Sequence, residues 1–467
     1  MPRLRAVLAV TVAALVCGGA ASAGVAATSS ASATTQELTI QVSDGTKLAC
    51  GLVLPAGSPP AGGWPGVLLF HGLGQDHQSM ETIASAALAP LGFASLACDA
   101  RGTGASGGTS GLEGPTEVQD VRDLFNWLAA RSDVSDTQIG AFGLSLGGGA
   151  VWNAAVAGVP FKAIVPAITW TSLGAALNPN GVPKGGEIEA LTQLTPPARW
   201  DPSITSAVIS LAGGVVTPAV KSAEAVRSSR SKLNSLHVPT LLLQGRHDFL
   251  FDIDQALAAY KLLAGPKELY IGDLGHRPAT NPTAELPTYL GDAVAWFEHY
   301  LAGIGAVHGG VELAHDPWNG TTTSYAGVPP TRHTSVTMPG SKRIAGNESV
   351  TRSARLTGGP LETFGDGSVS IRYSRNSVLT EIRAMVSVKG GAVVTVGAAR
   401  IGGGSGVVKI PLLDEALLLA RGKRLVVTVG GTTADGVYLP FQGGGAPAIT
   451  IGRVTLDLSL LAKTVSR

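Results

Sequence analysis

One serine of this chain lies between two glycines in a turn-forming stretch, and its surroundings can make its hydroxyl group reactive. The stretch GAFGLSLGGG, residues 140–149, contains the pattern G-x-S-x-G, with Ser145 flanked by Gly143 and Gly147. A serine hydroxyl is a weak nucleophile near neutral pH, and it needs a base within hydrogen-bond distance and a third group that orients the base. This chemistry therefore requires a histidine and a carboxylate elsewhere in the chain.

A carboxylate and a histidine follow the serine at the ends of two later apolar runs. LLLQGRHD ends in Asp248, and LYIGDLGH ends in His276. Where G-x-S-x-G forms a strand-to-helix turn, the order along the chain is nucleophile, acid, histidine. The sequence therefore predicts Ser145 as nucleophile, Asp248 as acid and His276 as base. Asp252 and Asp254 are alternative acids, but Asp252 also suits the N-cap of the next helix.

The glycines and two backbone N–H groups complete the predicted site. A sharp turn brings backbone segments together without room for a Cβ atom, which explains Gly143 and Gly147 as parts of a nucleophile elbow. A tetrahedral intermediate needs two N–H donors for its oxyanion. We expect these donors to be Leu146, directly after the serine, and Leu73 in the loop HGLG.

The glycine content supplies a competing explanation, because a chain with 62 glycines can contain G-x-S-x-G by chance. The context decides between the two explanations. TQIGAFG reads as a β-strand, GGGAVWNAAVAG as a helix, and the serine lies between them. Strand, tight turn and helix are the arrangement that the motif requires.

Composition limits the partners and cofactors. The net charge is +1 and only 14% of residues are charged, so nucleic acid is not expected as a partner. No cluster of histidines, cysteines and carboxylates has metal-ligand spacing, and no glycine loop ends in Lys-Ser or Lys-Thr. We therefore expect no metal and no cofactor. The predicted serine chemistry suits a small-molecule ester or a short peptide as substrate. The oligomeric state stays open.

Alternating strand and helix signals indicate an α/β domain over residues 36–303. ELTIQV and TKLACGLVLP predict a hairpin, and PGVLLFHG and FASLACDARG predict buried parallel strands. TEVQDVRDLFNWLAARS has one apolar stripe at helical spacing. A helical, proline-broken insertion at about residues 178–236 is predicted to form a cap over the active site.

After about residue 305 the chain consists of short β-type runs separated by Gly, Ser and Asn, as in TSVTMPG and KRLVVTVGG. This pattern is typical of an all-β sandwich or jelly roll. We predict such a domain over residues 312–467. It can act as a packing platform beside the active-site cleft, or as a surface- or carbohydrate-binding module.

The first 27 residues predict a signal peptide. Two arginines precede an uncharged run that is shorter than a membrane span, and Ala21-Ser22-Ala23 suits cleavage. We therefore expect a secreted protein without a membrane span in the mature chain, with an uncleaved anchor as the alternative. Cys50 and Cys98 would then reach an oxidising compartment, where a disulfide can persist, so a disulfide and two buried thiols are both open.

Other polar residues of the predicted site region have structural interpretations. His71 is interpreted as a hydrogen-bonding residue of the HGLG loop, and His77 as exposed or at the rim of the pocket. Asp99 and Arg101 are expected to form an internal salt bridge that shapes a glycine loop.

Taken together, HGLG, DARGTGASGG, DVRDLFNWLA, GLSLGG, GRHD and the final GH resemble the α/β-hydrolase superfamily. With the β-rich tail, the chain is similar to Xaa-Pro dipeptidyl-peptidases and cocaine-esterase-type acyl esterases, which share the D-x-R-G-x-G-x-S loop. The resemblance implies a doubly wound, mostly parallel sheet with a helical cap, followed by a jelly-roll-like sandwich. Leu146 departs from that family, which usually has tyrosine after the nucleophile.

The expected function is a secreted serine esterase that works through an acyl-enzyme intermediate. One alternative is an Xaa-Pro dipeptidyl-peptidase, which needs a carboxylate for the substrate's amine. The predicted cap offers four acidic residues for that role: Glu187, Glu189, Asp201 and Glu224. The other alternative is a non-catalytic binding protein on a hydrolase scaffold.

Overall fold

The structure, a computed structural model, describes residues 33–194, 197–356, 359–376, 380–433, 435–439 and 448–462. The predicted signal peptide, residues 1–27, lies outside the described residues. No helix within the described ranges is both long and apolar enough to cross a membrane.

A ten-stranded mixed sheet forms the first domain. Its strands are β1 (Thr34–Gln41), β2 (Lys47–Leu54), β3 (Trp64–Phe70), β4 (Ala94–Cys98), β5 (Val134–Leu144), β6 (Ile164–Ala167), β7 (Thr240–Gly245), β8 (Lys267–Gly272), β9 (Gly310–Ala314) and β10 (Thr322–Tyr325). Their spatial order is β1-β2-β4-β3-β5-β6-β7-β8-β9-β10. The strands from β4 to β9 in this order are parallel, whereas β1, β2 and β10 pair antiparallel to their neighbours.

Helices cover both faces of this sheet, as the predicted α/β class requires. The helices are α1 (His77–Ile83), α2 (Pro115–Ala129), α3 (Leu146–Val156), α4 (Leu173–Leu177), α5 (Gly185–Thr192), α6 (Pro202–Ala212), α7 (Pro218–Val226), α8 (Ile253–Leu262) and α9 (Leu286–Ala302), with a short π-helical turn (84–88) and 3₁₀ turns (89–91, 179–181, 230–235). Val121 of α2, Val151 of α3 and Leu257 of α8 pack into the core on one face. Met80 of α1 and Trp296 of α9 belong to the core on the other face.

The segment predicted to be the cap connects β6 to β7. It consists of helices α5, α6 and α7 and short turns, and α4 precedes it. The apolar sides of these helices share a cluster with the end of the β7 loop, including Ile188, Leu211, Val220 and Phe251. The cap is therefore packed onto the carboxyl end of the sheet.

The second domain is a sandwich of two antiparallel sheets. Its strands are β11 (Thr331–Met338), β12 (Lys342–Ala345), β13 (Ser349–Arg355), β14 (Leu361–Asn376), β15 (Thr380–Val388), β16 (Val393–Ile401), β17 (Gly404–Glu415), β18 (Leu418–Leu419), β19 (Arg424–Gly430) and β20 (Ala448–Leu461). One sheet has the order β11-β20-β14-β17, with β12 and β18 attached, and the other has the order β13-β19-β15-β16. Both sheets contribute to one apolar core, so the predicted all-β sandwich is confirmed.

The sheet of the hydrolase domain continues beyond residue 303, where that domain was predicted to end. Strand β9 pairs parallel to β8, and β10 pairs antiparallel to β9. Residue 312, the predicted start of the sandwich domain, therefore lies inside a strand of the first sheet. The sequence pattern changes to short β-type runs at β9, before the first domain ends. Such runs have the same pattern in either sheet, so the sequence does not show to which sheet β9 and β10 belong.

The two domains share an interior. Val182 and Phe249 of the hydrolase domain pack with Val396, Leu413 and Val437 of the sandwich. Arg246, 1% exposed, donates hydrogen bonds of 2.6 Å to the carbonyl of Ala416, to the carbonyl of Ala314 and to the carboxylate of Glu362. The sandwich is thus anchored two residues before the predicted catalytic acid.

Strands β2 and β4 are adjacent and antiparallel, with Cys50 directly opposite Cys98. The two sulfur atoms form a disulfide bond. Of the two open possibilities, the structure therefore contains the bridge.

Candidate active site

Ser145 lies at a strained turn between a strand and a helix. Strand β5 ends at Leu144 and helix α3 begins at Leu146, so that Ser145 alone forms the connection. Its backbone has φ 51° and ψ −109°, a conformation that side-chain-bearing residues rarely adopt. The turn lifts the serine out of the sheet at the carboxyl end of a central strand, where open α/β sheets place their sites.

The flanking glycines are required by close backbone approach. A Cβ atom on Gly143 would lie 2.2 Å from the carbonyl oxygen of Gly147, and one on Gly147 would lie 2.2 Å from the carbonyl oxygen of Phe70. Any side chain at either position would therefore push β5, α3 or β3 apart. This is the physical reason for the predicted elbow glycines.

The three predicted polar residues form one hydrogen-bond chain. Ser145 Oγ lies 2.8 Å from His276 Nε2, and His276 Nδ1 lies 2.8 Å from Asp248 Oδ2. His276 follows β8 and Asp248 follows β7, which are neighbouring parallel strands. The structure thus brings together a hydroxyl, an imidazole and a carboxylate that are separated by up to 131 positions in sequence.

Asp248 is held rigidly and is inaccessible to solvent. Its Oδ1 accepts hydrogen bonds of 2.9 Å from the N–H groups of Leu250 and Phe251, and its Oδ2 accepts a further one from the N–H of His276. The N–H of Phe249 also donates to the carbonyl of Arg277, so the two loops are joined through their backbones. The acid and the imidazole therefore keep a fixed relative position.

Charge and burial shift the pKa values of His276 and Asp248 in opposite directions. Burial by itself lowers the pKa of His276, but the charge and hydrogen bond of Asp248 outweigh it, so the pKa of the imidazole is raised. Burial by itself raises the pKa of Asp248, but the charge and hydrogen bonds of His276 outweigh it, so the pKa of the carboxyl is lowered. The arrangement makes the imidazole a better base and keeps the acid ionised.

The two predicted oxyanion donors border the serine. Within the described residues, the N–H groups of Leu73 and Leu146 have no hydrogen-bond acceptor. The HGLG loop passes beside the serine, since a Cβ atom on Gly72 would lie 3.6 Å from Ser145 Cβ. Both N–H groups are therefore available to a ligand at this turn.

His71 holds this loop in place. Its Nε2 accepts a hydrogen bond of 2.9 Å from the N–H of Ala100, which assigns the proton to Nδ1, and Nδ1 donates to the carbonyl of Gly72 at 2.7 Å. Its own carbonyl accepts a hydrogen bond from the N–H of Gly147 at 3.1 Å. Burial lowers the pKa of His71. The residue is thus a neutral structural imidazole between the loop and the elbow.

A cavity of about 670 Å³ opens over Ser145 and His276. Its walls are largely apolar, and the cap contributes Ala190, Leu191 and Leu194. Helix α5 also contributes Glu187, whose Oε1 lies 2.6 Å from Nη2 of Arg277. The cavity therefore combines apolar walls with one carboxylate that is already paired.

Sequence reasoning missed the partner of Glu187. Arg277 directly follows the predicted catalytic histidine, yet nothing in its neighbourhood along the chain indicates a bond to a residue 90 positions away. Of the four acidic residues considered for an amine anchor, Glu187 is the one that lines this cavity.

Two structural interpretations were wrong. Arg101 does not pair with Asp99: it binds Asp120 and Asp44 instead. Asp99 binds His77, and His77 is buried rather than at the rim of the pocket. Asp252 occupies the predicted N-cap position of α8, but its side chain makes no cap bond there; its Oδ2 accepts a hydrogen bond from the N–H of Asp414 in the sandwich.

The fold and this site define the class of protein: an α/β-hydrolase with a helical cap and a C-terminal β-sandwich. Residues 44–201, about a third of the chain, match the profile of a family described as X-Pro dipeptidyl-peptidase (S15 family). The matched segment includes the D-x-R-G-x-G-x-S loop, helix α2 and the Ser145 turn.

A curated relative matches a shorter region. The chain is 32% identical over 102 residues to an uncharacterized 31.7 kDa protein in the traX-finO intergenic region of Escherichia coli. The alignment covers 22% of this chain and 36% of that protein, so the chain spans about a third of the relative's length.

Solved structures resemble the chain over nearly its whole length. A CocE/NonD family hydrolase from Staphylococcus aureus has a TM-score of 0.69 at 14% identity, covering 92% of this chain and 94% of that one. An α-amino acid ester hydrolase has a TM-score of 0.66 at 14% identity, covering 94% and 98%. An aminopeptidase from a Thaumarchaeota archaeon has a TM-score of 0.66 at 13% identity, covering 96% and 100%. These likenesses confirm the predicted fold, and the family match over residues 44–201 supports the predicted hydrolase class.

Proposed function

We propose that this protein is an exported serine hydrolase that cleaves carboxylic esters through an acyl-enzyme intermediate. The observation that carries the proposal is the continuous chain from Ser145 Oγ through His276 to Asp248 at the floor of a largely apolar cavity. The bond between Cys50 and Cys98 supports export, because disulfides persist in oxidising compartments.

In the proposed reaction, Ser145 Oγ attacks the ester carbonyl carbon while its proton passes to His276 Nε2. The N–H groups of Leu73 and Leu146 bind the oxyanion that forms. The intermediate collapses, the C–O bond to the alcohol breaks, and His276 returns the proton to the departing alcohol. Water then attacks the acyl-serine with the same imidazole as base, which releases the carboxylic acid and restores Ser145.

Apolar walls suit ester substrates, since each buried CH₂ of an acyl or alcohol group contributes about 0.8 kcal/mol to binding. The cavity is less suited to binding a positively charged amine. The carboxylate of Glu187 lies in the cavity, but Arg277 already neutralises it. We therefore place esters first and a peptide bond after proline second.

An Xaa-Pro dipeptidyl-peptidase is the second candidate, supported by the family match over residues 44–201 and by Glu187 in the cavity wall. The two candidates differ in what the substrate must carry. Short p-nitrophenyl esters and an unactivated alkyl ester should be hydrolysed with higher kcat/KM than glycyl-prolyl-p-nitroanilide. Efficient cleavage of the anilide, abolished by acetylation of its amine, would favour the peptidase.

Covalent labelling tests the nucleophile. A fluorophosphonate should add once to the wild-type protein, and the Ser145→Ala variant should neither be labelled nor retain more than a small part of the activity. Ser79→Ala is the matched control, because Ser79 lines the same cavity and its Oγ donates to the carbonyl of Asp76. Labelling at another serine would overturn the assignment, and no labelling of the folded wild type would favour a non-catalytic binding protein.

A further inference from the structure

Three residues outside the active site direct ligand atoms at one point. Glu37 lies on the edge strand β1, and His77 and Glu81 lie one turn apart on helix α1. His77 Nε2 lies 3.0 Å from Glu37 Oε2 and 3.7 Å from Glu81 Oε1, and the three ligand atoms all lie within 4.8 Å of one another. Two carboxylates therefore converge on a single imidazole nitrogen.

The other nitrogen of His77 is already committed. Nδ1 lies 2.8 Å from Oδ1 of Asp99, and the same oxygen accepts a hydrogen bond from the backbone N–H of His77. Because this oxygen acts as an acceptor, Nδ1 of His77 carries the proton, and Nε2 faces the two glutamates. A carboxylate that fixes a histidine in this way is the usual support of a metal-binding imidazole.

Glu81 supplies an independent observation. The residue is 9% exposed, and its Oε1 is buried without a hydrogen-bond partner among the described residues. It packs against the backbone of β2, where a Cβ atom on Gly51 would lie 1.6 Å from Oε1. A buried carboxylate oxygen without a partner is costly, and a cation beside it removes that cost.

A proton on His77 Nε2 cannot form hydrogen bonds to both Glu37 and Glu81. If Nε2 were protonated, it could donate to Glu37 at 3.0 Å, but Glu81 Oε1 at 3.7 Å is beyond hydrogen-bond distance. A metal ion between the three atoms would be bound by all of them at once. A protonated histidine would therefore account for Glu37 alone, whereas a divalent cation would account for both glutamates.

We propose that Glu37, His77 and Glu81 form a Zn²⁺ site, with water in the remaining position. One imidazole and two carboxylates are a ligand set that Zn²⁺ accepts, whereas Mg²⁺ and Ca²⁺ prefer oxygen alone. A surface depression lined by Thr35, Gln78 and Thr82 borders Glu81 and gives the ion access. The ion would link the edge strand β1 to α1, the helix that follows the HGLG loop.

Zinc titration of the full, untagged protein after dialysis against a chelator tests the site. Isothermal calorimetry should show one Zn²⁺ per chain, Tm should rise with zinc concentration, and equal concentrations of Mg²⁺ or Ca²⁺ should have no effect. X-ray absorption of the complex should show a shell of N and O ligands at about 2.0–2.2 Å.

Variants link the binding to these residues. His77→Ala, Glu81→Gln and Glu37→Gln should each weaken zinc binding at least tenfold. The Glu37 side chain is 64% exposed, so Glu37→Gln keeps the test valid even if the buried variants fail to fold. The control is His333→Ala, which removes an exposed histidine that lies 2.8 Å from Asp457. No zinc binding, or binding that Glu37→Gln leaves unchanged, would overturn the proposal.

Discussion

Arg277 donates a hydrogen bond from Nη2 to Oε1 of Glu187 at 2.6 Å, which joins the residue after His276 to the first helix of the cap. The guanidinium is half-exposed, whereas the carboxylate is buried in the cavity wall. The pair thus decides whether the cavity presents a free negative charge to a substrate.

Loss of the arginine should change substrate preference. Arg277→Ala leaves the Glu187 carboxylate without its cation, so the ratio of kcat/KM for an α-amino ester to that for its N-acetylated form should rise several-fold. Arg277→Lys, which keeps a cation, should retain the wild-type ratio. Steady-state kinetics on the ester pair measure the ratio, and an unchanged ratio in Arg277→Ala would show that Glu187 does not contact the substrate.

Activity should increase with pH through the pKa of His276. The reaction needs the neutral imidazole, and the pKa of His276 is raised by Asp248 against the opposing effect of burial. The acid limb of the kcat/KM profile should therefore lie above the ordinary histidine value of about 6.5.

Removing the charge of Asp248 should shift the acid limb of the kcat/KM profile. Asp248→Asn should lower kcat by up to about 10⁴-fold and shift the acid limb to lower pH, because the raising charge is gone. Asp252→Asn is the control, since Asp252 binds Asp414 N–H and not the imidazole. If Asp252→Asn produced the larger loss, the assignment of the acid would be wrong.

Arg246 should contribute strongly to stability. Arg246→Ala removes three hydrogen bonds and leaves the Glu362 carboxylate and two carbonyl groups without this partner. Arg246 is buried and Glu362 is partly buried, so the loss of the guanidinium should lower the free energy of unfolding by about 3 kcal/mol. Arg453→Ala, on an exposed position of β20, should change it by less than about 0.5 kcal/mol. Urea unfolding measures both, and equal effects would contradict the role of Arg246.

The disulfide should also be measurable in solution. Cys50→Ser combined with Cys98→Ser should lower the free energy of unfolding by about 2–4 kcal/mol, because the bridge closes a loop of 48 positions in the unfolded chain. Reduction of the wild type should have a similar effect. Thiol titration of unfolded, unreduced protein without residues 1–27, and therefore without Cys17, should find no free thiol, and two free thiols would contradict the bond.

Much of the site was predictable because its signals are local. The strand before Ser145 and the helix after it are visible as apolar periodicity, and the glycines mark the turn between them. Asp248 and His276 could be assigned because each directly follows a strand, and the carboxyl ends of parallel strands meet at one edge of the sheet.

Contacts between distant elements were not predictable in this way. The partner of Arg101 depends on how α2 lies across the sheet, and the burial of His77 depends on the packing of α1 against β2, β3 and β4. Strands β9 and β10 carry the same short β pattern as the sandwich strands, so only their pairing with β8 reveals the sheet to which they belong. The local sequence pattern does not indicate these contacts, because they depend on how distant elements pack.

Strands β9 and β10 have a consequence for fragments of this chain. A chain cut before residue 310 would leave the N–H and C=O groups of β8 unpaired along an open edge, which invites aggregation with other copies. A chain cut after residue 325 would keep that edge paired but would uncover Val182 and Phe249, which pack against the sandwich beside Asp248. Neither fragment is a self-sufficient unit, and we expect the two domains to melt together in one cooperative transition.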